Sequence, residues 1–231
     1  MKLSIIIPAY NEEKTILKVI SKVKNQKLNK IKKEIIIVDD FSKDGTGKIL
    51  SGLKNKDIKI FFHEKNQGKG AAIRTGLRHA TGDVILIQDA DLEYDPKEYP
   101  KLLKPIMDGK AKVVYGSRIE AIRRKIESMY KLHYFGNVFL TIVTNVLYGS
   151  KITDMETGYK LFRREVIKNI RLRARRFDFE PEITAKILKR GYRIEEIPID
   201  FTGRKFREGK KITWRDGIKA LLYLIKYRFV D

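Results

Sequence analysis

The chain has 231 residues, with 50 Lys and Arg against 29 Asp and Glu, which gives a formal net charge of +21. Apolar residues make up 42% of the chain, enough for a packed core, so the composition excludes wholesale disorder. Because the chain has 0 Cys and 3 His, disulfides, thiol catalysis, iron–sulfur clusters and Cys-ligated zinc are excluded. A divalent metal would have to sit on carboxylates, which favours Mg²⁺ or Mn²⁺.

The first half of the chain alternates apolar strands with amphipathic helices. We predict strands at 3–7, 34–38, 58–62, 83–87 and 112–115, and helices at 12–23, 44–53, 70–80 and 97–107. Strands that are apolar throughout are covered on both faces, so the alternation predicts a parallel sheet with helices on both sides. Ligands of such sheets bind beyond the carboxyl ends of the strands. Polar clusters fall there, at 8–12, 39–44 and 88–93.

The second half is less regular, with predicted helices at 126–147, 181–189 and 214–229 and strands at 158–162 and 193–197. The segments 134–148 and 214–229 are too short or too polar to cross a bilayer. Each is interpreted either as a packed amphipathic helix or as a helix lying on a membrane surface.

The charge excess suits a nucleic acid, an anionic membrane or phosphorylated substrates. A composition rich in Lys and Ile, of the kind that hyperthermophiles favour, also produces it. Since no motif of nucleic-acid recognition is present, we predict no nucleic-acid partner.

The strongest local signal is Asp89-Ala90-Asp91, which directly follows the apolar run 84–87. Two carboxylates one residue apart can share a divalent cation, or one can hold a ribose hydroxyl while the other binds the metal. Glu93 follows with the same spacing and could supply a further oxygen ligand. A surface turn produces the same triplet, but the position after a buried strand favours a metal and diphosphate site.

The second signal, Pro8-Ala9-Tyr10-Asn11-Glu12, follows the first strand. Pro8 fixes the exit of the chain, Tyr10 offers a flat face for a base, and Glu12 can accept hydrogen bonds from a ribose or base. The alternative is a helix cap, with Asn11 as the N-cap.

Two further clusters follow the second and third strands. A carboxylate of Asp39-Asp40 could bind the base, although a turn and helix cap explain the pair equally well. The segment 66–70, Asn-Gln-Gly-Lys-Gly, opens a helix and places Lys69 near its positive end, which suits a phosphate or a base edge. The glycine spacing is not that of a P-loop.

Taken in order, these motifs resemble the family 2 glycosyltransferases, which have the nucleotide-sugar-binding GT-A fold. Three further segments, Tyr115-Gly116-Ser117-Arg118, 154–162 and the basic loop 203–212, are similar to the dolichyl-phosphate mannose or glucose synthases among them. The resemblance implies an α/β, Rossmann-like, mostly parallel sheet with C-terminal amphipathic helices. It also implies one domain, in which 1–118 binds the nucleotide sugar and 119–231 binds the acceptor.

The implied activity is inverting transfer of a hexose to a polyprenyl phosphate, with Mg²⁺ or Mn²⁺. The donor would be GDP-mannose, UDP-glucose or UDP-N-acetylglucosamine. By motif position, the implied nucleotide-sugar contacts are Pro8, Ala9, Tyr10, Glu12, Asp40, Lys69, Asp89, Ala90 and Asp91. The implied metal ligands are Asp89, Asp91 and Glu93. The implied clamps of the acceptor phosphate are Arg118, Lys131, Arg204, Arg207 and Lys210, and the implied catalytic residues are Asp89, Asp91, Asp154, Arg118 and Arg207.

An anionic phosphate nucleophile needs no strong general base, so positioning and charge neutralisation suffice for this reaction. The nearest alternative is the same fold acting on a soluble or polysaccharide hydroxyl, with Asp154 or Glu180 as general base. A receiver-type module built on Asp39-Asp40, and a nucleic-acid binder, are more distant alternatives. Many relatives carry C-terminal membrane helices, whereas this chain stops at Asp231. We therefore expect a peripheral protein on the cytoplasmic face of the membrane.

Overall fold

The computed structural model of the protein describes residues 1–124, 131–203 and 214–230. In these ranges the chain forms a seven-stranded sheet in the order β3-β2-β1-β4-β6-β5-β7. The strands are β1 (Lys2–Ala9), β2 (Lys32–Asp39), β3 (Ile58–Phe62), β4 (Val84–Ile87), β5 (Val113–Ser117), β6 (Lys160–Arg163) and β7 (Ile194–Pro198).

Strand β6 is antiparallel to both of its neighbours, β4 and β5. The other pairings, β1 with β2 and β4, β2 with β3, and β5 with β7, are all parallel. The predicted mostly parallel sheet is therefore confirmed. Because β6 runs in the opposite direction, its amino end lies at the edge where the carboxyl ends of the other strands meet. The residues just before Lys160 thus reach the ligand-binding edge.

Helices cover both faces of the sheet, as predicted. They are α1 (Ile16–Asn25), α2 (Thr46–Ser51), α3 (Lys69–His79), α4 (Tyr99–Met107), α5 (Ile119–Arg124), α6 (Lys131–Tyr148), α7 (Arg164–Lys168), α8 (Phe179–Lys189) and α9 (Trp214–Phe229). Alternate residues of β1 separate into two cores: Ile5 and Ile7 pack with α1, α2 and α4, whereas Ile6 packs with α3, α7 and α8. This alternation is why the strands are apolar throughout.

A third core joins α6 and α9 through Leu140, Ala220 and Leu224, with Met155 beneath them. On the opposite sides, both helices expose apolar residues at the same spacing, and we call these the apolar stripes. The stripe of α6 is Phe135, Phe139, Ile142 and Val146, and that of α9 is Ile218, Leu222, Ile225 and Phe229. Within the described ranges, no helix combines the length and the apolar character needed to cross a bilayer.

The start of α1 differs from the prediction. Its first residue is Ile16 rather than residue 12, because the carbonyl of Glu12 accepts the N–H groups of both Thr15 and Ile16 in a turn. Asn11 has a φ of 52° and Thr15 is the N-cap residue, so the interpretation of Asn11 as a cap is wrong. The left-handed conformation of Asn11 turns the chain into the loop at the edge of the sheet.

Candidate active site

Two groups of loops meet at the ligand-binding edge of the sheet. We call residues 8–15, 39–46 and 63–68 the β1–β2 edge. We call residues 88–94, 117–118 and 153–160, with Lys69 and Glu180, the β4–β6 edge. All the predicted site residues before residue 119 and Asp154 lie in these two groups, as expected for a doubly wound sheet.

At the β1–β2 edge, Asp40 holds the loop that precedes α3. The backbone N–H groups of Gln67 and Gly68 donate to its carboxylate at 2.8 and 2.7 Å, and His63 Nδ1 lies 2.7 Å from Oδ1. Gly68 has a φ of 95°, and a Cβ on it would lie 2.3 Å from the carbonyl oxygen of Arg175, so only glycine fits there. Asp40 thus organises the loop that delivers Lys69.

The same edge ties the two loops that follow β1 and β2 to each other. The N–H of Asn11 donates to Ser42 Oγ at 2.9 Å, and the N–H of Lys43 donates to Asn11 Oδ1 at 2.7 Å. The N–H of Gly45 donates to Glu13 Oε2 at 2.7 Å. The predicted nucleotide contacts Pro8, Ala9, Tyr10 and Glu12 are therefore carried by one cross-linked rim.

At the β4–β6 edge, Lys69 joins two carboxylates. Its Nζ lies 2.8 Å from Asp89 Oδ1 and 2.9 Å from Glu180 Oε1. Burial alone would lower the pKa of Lys69, but the charges of Asp89 and Glu180 outweigh it and hold that pKa well above its ordinary value. Lys69 is the first residue of α3 and Glu180 lies in the first turn of α8, so two helices converge on Asp89.

Gly158, just before β6, packs directly on Asp89. A Cβ at this position would lie 2.3 Å from Asp89 Oδ2, and the N–H of Gly158 donates to the hydroxyl of Tyr94 at 2.7 Å. Beneath them, the side-chain oxygen of Gln88 accepts the hydroxyl groups of Tyr99 and Tyr159. This buried network fastens the segment 88–94 to the segment before β6.

The bend that carries the predicted metal ligands follows Asp89. Ala90 is buried, Asp91 Oδ1 accepts the N–H of Glu93 at 3.1 Å, and Leu92 has a left-handed φ of 65°. In the parts of the chain that the structure describes, no group of three His, Cys, Asp or Glu side chains is arranged to hold a metal ion. Asp89 and Asp91 nevertheless supply carboxylate oxygens, the donor type that Mg²⁺ and Mn²⁺ prefer, so the donor set fits such a metal.

Arg118 and Asp154 form a buried two-pronged ion pair. Arg118 Nε and Nη2 donate to the two carboxylate oxygens at 2.8 and 2.7 Å, and the Arg118 N–H adds a third bond at 2.9 Å. Asn137 of α6 donates a fourth at 2.8 Å. Burial alone would raise the pKa of Asp154, but Arg118 holds it below its ordinary value. The carboxylate is fully buried, so the structure makes it a poor base for a hydroxyl acceptor.

Two charged residues of this edge, Glu156 and Lys160, were not singled out from the sequence. Burial, followed by the charge of Glu180, raises the pKa of Glu156 to about 7. Burial lowers the pKa of Lys160 to about 8, and its Nζ donates to the carbonyls of Met155 and Thr157. The signal in the sequence was the position of both charges in the segment 154–162, which leads into a buried strand.

Part of the predicted acceptor site cannot be placed on this structure. Arg204, Arg207 and Lys210 lie outside the described residues, and so does the side chain of Lys131, the first residue of α6. Of the predicted phosphate clamps, the structure describes the side chain of Arg118.

Three comparisons with known proteins agree with the motifs. The family model for Glycosyl transferase family 2 matches residues 4–171. The chain is 33% identical over 214 residues to a UDP-N-acetylglucosamine–dolichyl-phosphate N-acetylglucosaminyltransferase of Methanococcus voltae, covering 84% of this chain and 83% of the relative. It is 32% identical over 241 residues to the dolichyl-phosphate beta-glucosyltransferase ALG5A of Trichomonas vaginalis, covering 97% of this chain and 72% of the relative.

Among solved structures, glucosyl-3-phosphoglycerate synthase from Mycobacterium tuberculosis, in complex with Mn²⁺, UDP and phosphoglyceric acid, superimposes with a TM-score of 0.75. The match covers 100% of this chain and 79% of that one at 19% identity, so it bears on the fold alone. The predicted GT-A fold is confirmed. With the family match spanning residues 4–171 of the 231, the chain belongs to glycosyl transferase family 2 and is a glycosyltransferase.

Proposed function

We propose that the protein transfers a hexose from a nucleotide diphosphate sugar to a polyprenyl phosphate of the dolichyl type, with inversion and with a divalent metal. The observation that carries the proposal is the similarity over most of the chain to relatives named for dolichyl-phosphate sugar transfer. Those relatives are named for different sugars, so GDP-mannose, UDP-glucose and UDP-N-acetylglucosamine all stay candidate donors.

The geometry of Asp154 supports an acceptor that is already an anion. A hydroxyl acceptor requires a base that is accessible and has a pKa near the working pH. Asp154 is fully buried, and its pKa is held low by Arg118. A phosphate oxygen needs no such base, because the enzyme then has only to bring two anionic substrates together.

For the donor, we propose that the β1–β2 edge binds the nucleoside through Pro8, Ala9, Tyr10, Glu12 and Asp40. The cross-links described above hold that rim in shape before any ligand arrives. Lys69, which the rim delivers, adds a positive charge beside Asp89, and the buried Ala90 sets the spacing of the two aspartates. Lys69 would attract the diphosphate and hold the carboxylate of Asp89 in its orientation.

We further propose that Asp89 and Asp91 hold the metal, with Glu93 as an additional ligand. A bound Mg²⁺ or Mn²⁺ would neutralise charge on the diphosphate as it leaves. Arg118, Lys131, Arg204, Arg207 and Lys210 would supply the positive charge that receives the acceptor phosphate. Asp154 orients Arg118 by the two-pronged contact, whose two bonds leave Arg118 Nη1 outside the pair.

We propose that the apolar stripes of α6 and α9 bring the enzyme to the cytoplasmic face of the membrane, where a polyprenyl phosphate resides. The exposed fractions of Phe135 and Phe229 are 63% and 80%, large for aromatic side chains. Exposed cations accompany the stripe of α9, at Lys219, Lys226 and Arg228, and would meet anionic headgroups. Asn137 connects α6 to Asp154, so this surface lies beside the site.

The test is a transfer assay with purified protein, Mg²⁺ or Mn²⁺, polyprenyl phosphate in detergent and a panel of radiolabelled nucleotide sugars. We expect label from one donor to partition into organic solvent, and Asp91→Ala to reduce transfer by about 1,000-fold or more. Asp57→Ala, an exposed aspartate before β3, is the matched control and should keep full activity. Label that reaches a hydroxyl acceptor and never the lipid phase would show that the lipid-phosphate proposal is wrong.

A further inference from the structure

Two buried carboxylate oxygens in the β4–β6 edge have no hydrogen-bond partner within the described part of the chain. They are Oε1 of Glu156 and Oε2 of Glu180. Buried polar atoms are nearly always hydrogen-bonded, because leaving them unpaired removes their hydration without replacement. Two such atoms in neighbouring carboxylates indicate that a ligand supplies the missing donors.

The contacts around these oxygens place them beside the reacting end of the donor. Glu180 uses its other oxygen, Oε1, to hold Lys69, and Lys69 in turn holds Asp89. Gly158, two residues after Glu156, packs on the second oxygen of Asp89. Glu180 is therefore linked through Lys69 to the aspartate proposed to hold the diphosphate, and Glu156 lies close enough to Glu180 for their charges to interact. The transferred sugar would lie beside this pair.

The chemistry of the pair selects the kind of ligand. Two carboxylates repel a phosphate, so the acceptor anion does not fit between them. The nearby cation Lys160 already donates to two backbone carbonyls, those of Met155 and Thr157. What fits unpaired carboxylate oxygens is a neutral group that donates hydrogen bonds, and a hexose offers several hydroxyl groups.

We propose that Glu156 is a specificity-determining residue that, together with Glu180, accepts hydrogen bonds from hydroxyl groups of the transferred hexose. The inference rests on the proposed function in that the donor is a nucleotide sugar, but it does not depend on the acceptor. A site built to accept a hydroxyl rejects an analogue that lacks it, because its own buried oxygens then stay unpaired. Glu156 would thus distinguish sugars that differ in the position or presence of one hydroxyl group.

The test measures binding without any acceptor. Wild type, Glu156→Ala and Glu156→Gln are titrated calorimetrically, in Mg²⁺, with UDP-N-acetylglucosamine, UDP-glucose and GDP-mannose, and with UDP and GDP. We expect Glu156→Ala to lower the affinity for the preferred nucleotide sugar by about 10-fold or more. The affinity for the nucleotide diphosphate should stay within about two-fold of the wild-type value. Glu156→Gln keeps one acceptor oxygen, so its affinity for the nucleotide sugar should fall less than that of Glu156→Ala. Glu165→Ala, an exposed glutamate on α7, is the matched control and should change neither affinity.

Deoxy analogues of the preferred donor sharpen the assignment. Wild type should bind the analogue that lacks the recognised hydroxyl about 10-fold more weakly than the complete donor. Glu156→Ala should bind this analogue and the complete donor with equal affinity. Retained nucleotide diphosphate binding shows that a variant is folded.

Equal loss of sugar and diphosphate binding, or no loss of either, would overturn the inference. So would unchanged sugar binding together with a fall of about 100-fold or more in kcat for both variants in the transfer assay, which is the signature of a general base. Absence of nucleotide-sugar binding by wild type would instead overturn the proposed donor, and this inference with it.

Discussion

The β1–β2 edge and the β4–β6 edge both gather carboxylates at strand ends, but they use them differently. At the β1–β2 edge the carboxylates of Asp39, Asp40 and Glu13 accept hydrogen bonds from backbone N–H groups of the same edge. At the β4–β6 edge, one oxygen each of Glu156 and Glu180 is buried with no hydrogen-bond partner in the described ranges. Ion pairs join Lys69 to Asp89 and Glu180, and Arg118 to Asp154.

The difference indicates two kinds of pre-organisation. Acceptors that are satisfied internally fix a backbone rim, where we propose that the nucleoside binds. Buried acceptors that are left unpaired destabilise the folded protein, and the loss is offset only when a ligand donates hydrogen bonds to them. Stability should therefore depend on the carboxylates of the first edge and on the ion pair of the second, and substrate choice on the unpaired oxygens.

The largest expected effect on stability is from Asp154→Asn. Removing this charge leaves Arg118, whose side chain is 14% exposed, without its partner, and breaking a buried ion pair from one side costs about 3–5 kcal/mol. Urea denaturation measures the loss. The double variant Arg118→Met/Asp154→Asn should recover part of it. A loss below about 1 kcal/mol for Asp154→Asn alone would mean that the second edge does not depend on this pair.

Asp40→Asn comes next. The amide cannot accept from Gln67, Gly68 and His63 together, because one of its two positions is now a donor. We expect a loss of about 1.5–3 kcal/mol in the free energy of unfolding, the range for hydrogen bonds to a charged group. Asp57→Asn, on an exposed aspartate, is the control. Unchanged stability would show that the first edge is not held together by Asp40.

Glu156→Gln should raise the free energy of unfolding instead of lowering it, and the size of this effect should depend on pH. The pKa of Glu156 is raised from 4.5 to about 7 in the folded protein, so its contribution to stability is fully present below about pH 4.5 and lost as the pH rises through 7. Glutamine resembles the protonated form at every pH. The variant should match wild type at pH 4 and be more stable by about 3 kcal/mol at pH 8. Thermal unfolding at both pH values measures this, and a constant difference would contradict it.

Ser42→Ala is the smallest test. Ser42 Oγ accepts the N–H of Asn11 and donates to Asp39. Removing this hydroxyl therefore breaks one hydrogen bond between the two loops. We expect a loss of about 1 kcal/mol by urea denaturation. Ser51→Ala, whose exposed hydroxyl bonds within α2, should cost less. If the two variants lose equally, the connection between the loops contributes nothing specific.

The sequence predicted the first edge better than the second because of how far apart the contributing residues lie. Each part of the β1–β2 edge is a strand followed at once by its polar cluster, so a local pattern carries it. The direction of β6 and the convergence of α8 on Lys69 depend on pairing across more than 70 residues, as between Val84 and Arg163. No local pattern encodes that pairing, and Glu156 and Glu180 were not recognised as neighbours for this reason.

The same reasoning applies to individual elements. The bounds of β3 and α9 agree with the prediction because clear apolar patterns define both. Helices α5 and α7, of 6 and 5 residues, were not predicted because segments shorter than two helical turns are too short for an apolar pattern to repeat.

The position of β6 between β4 and β5 has a consequence for cutting or exchanging parts of the chain. A fragment that ends at Arg118 would carry five strands, but β4 and β5 would lack the strand that joins them. Both would then expose backbone donors and acceptors, the template for edge-to-edge aggregation. Residues 1–118 are therefore not a portable module. A chimera that takes the chain after residue 118 from a relative must take β6 with it, and with β6 the glycine that packs on Asp89.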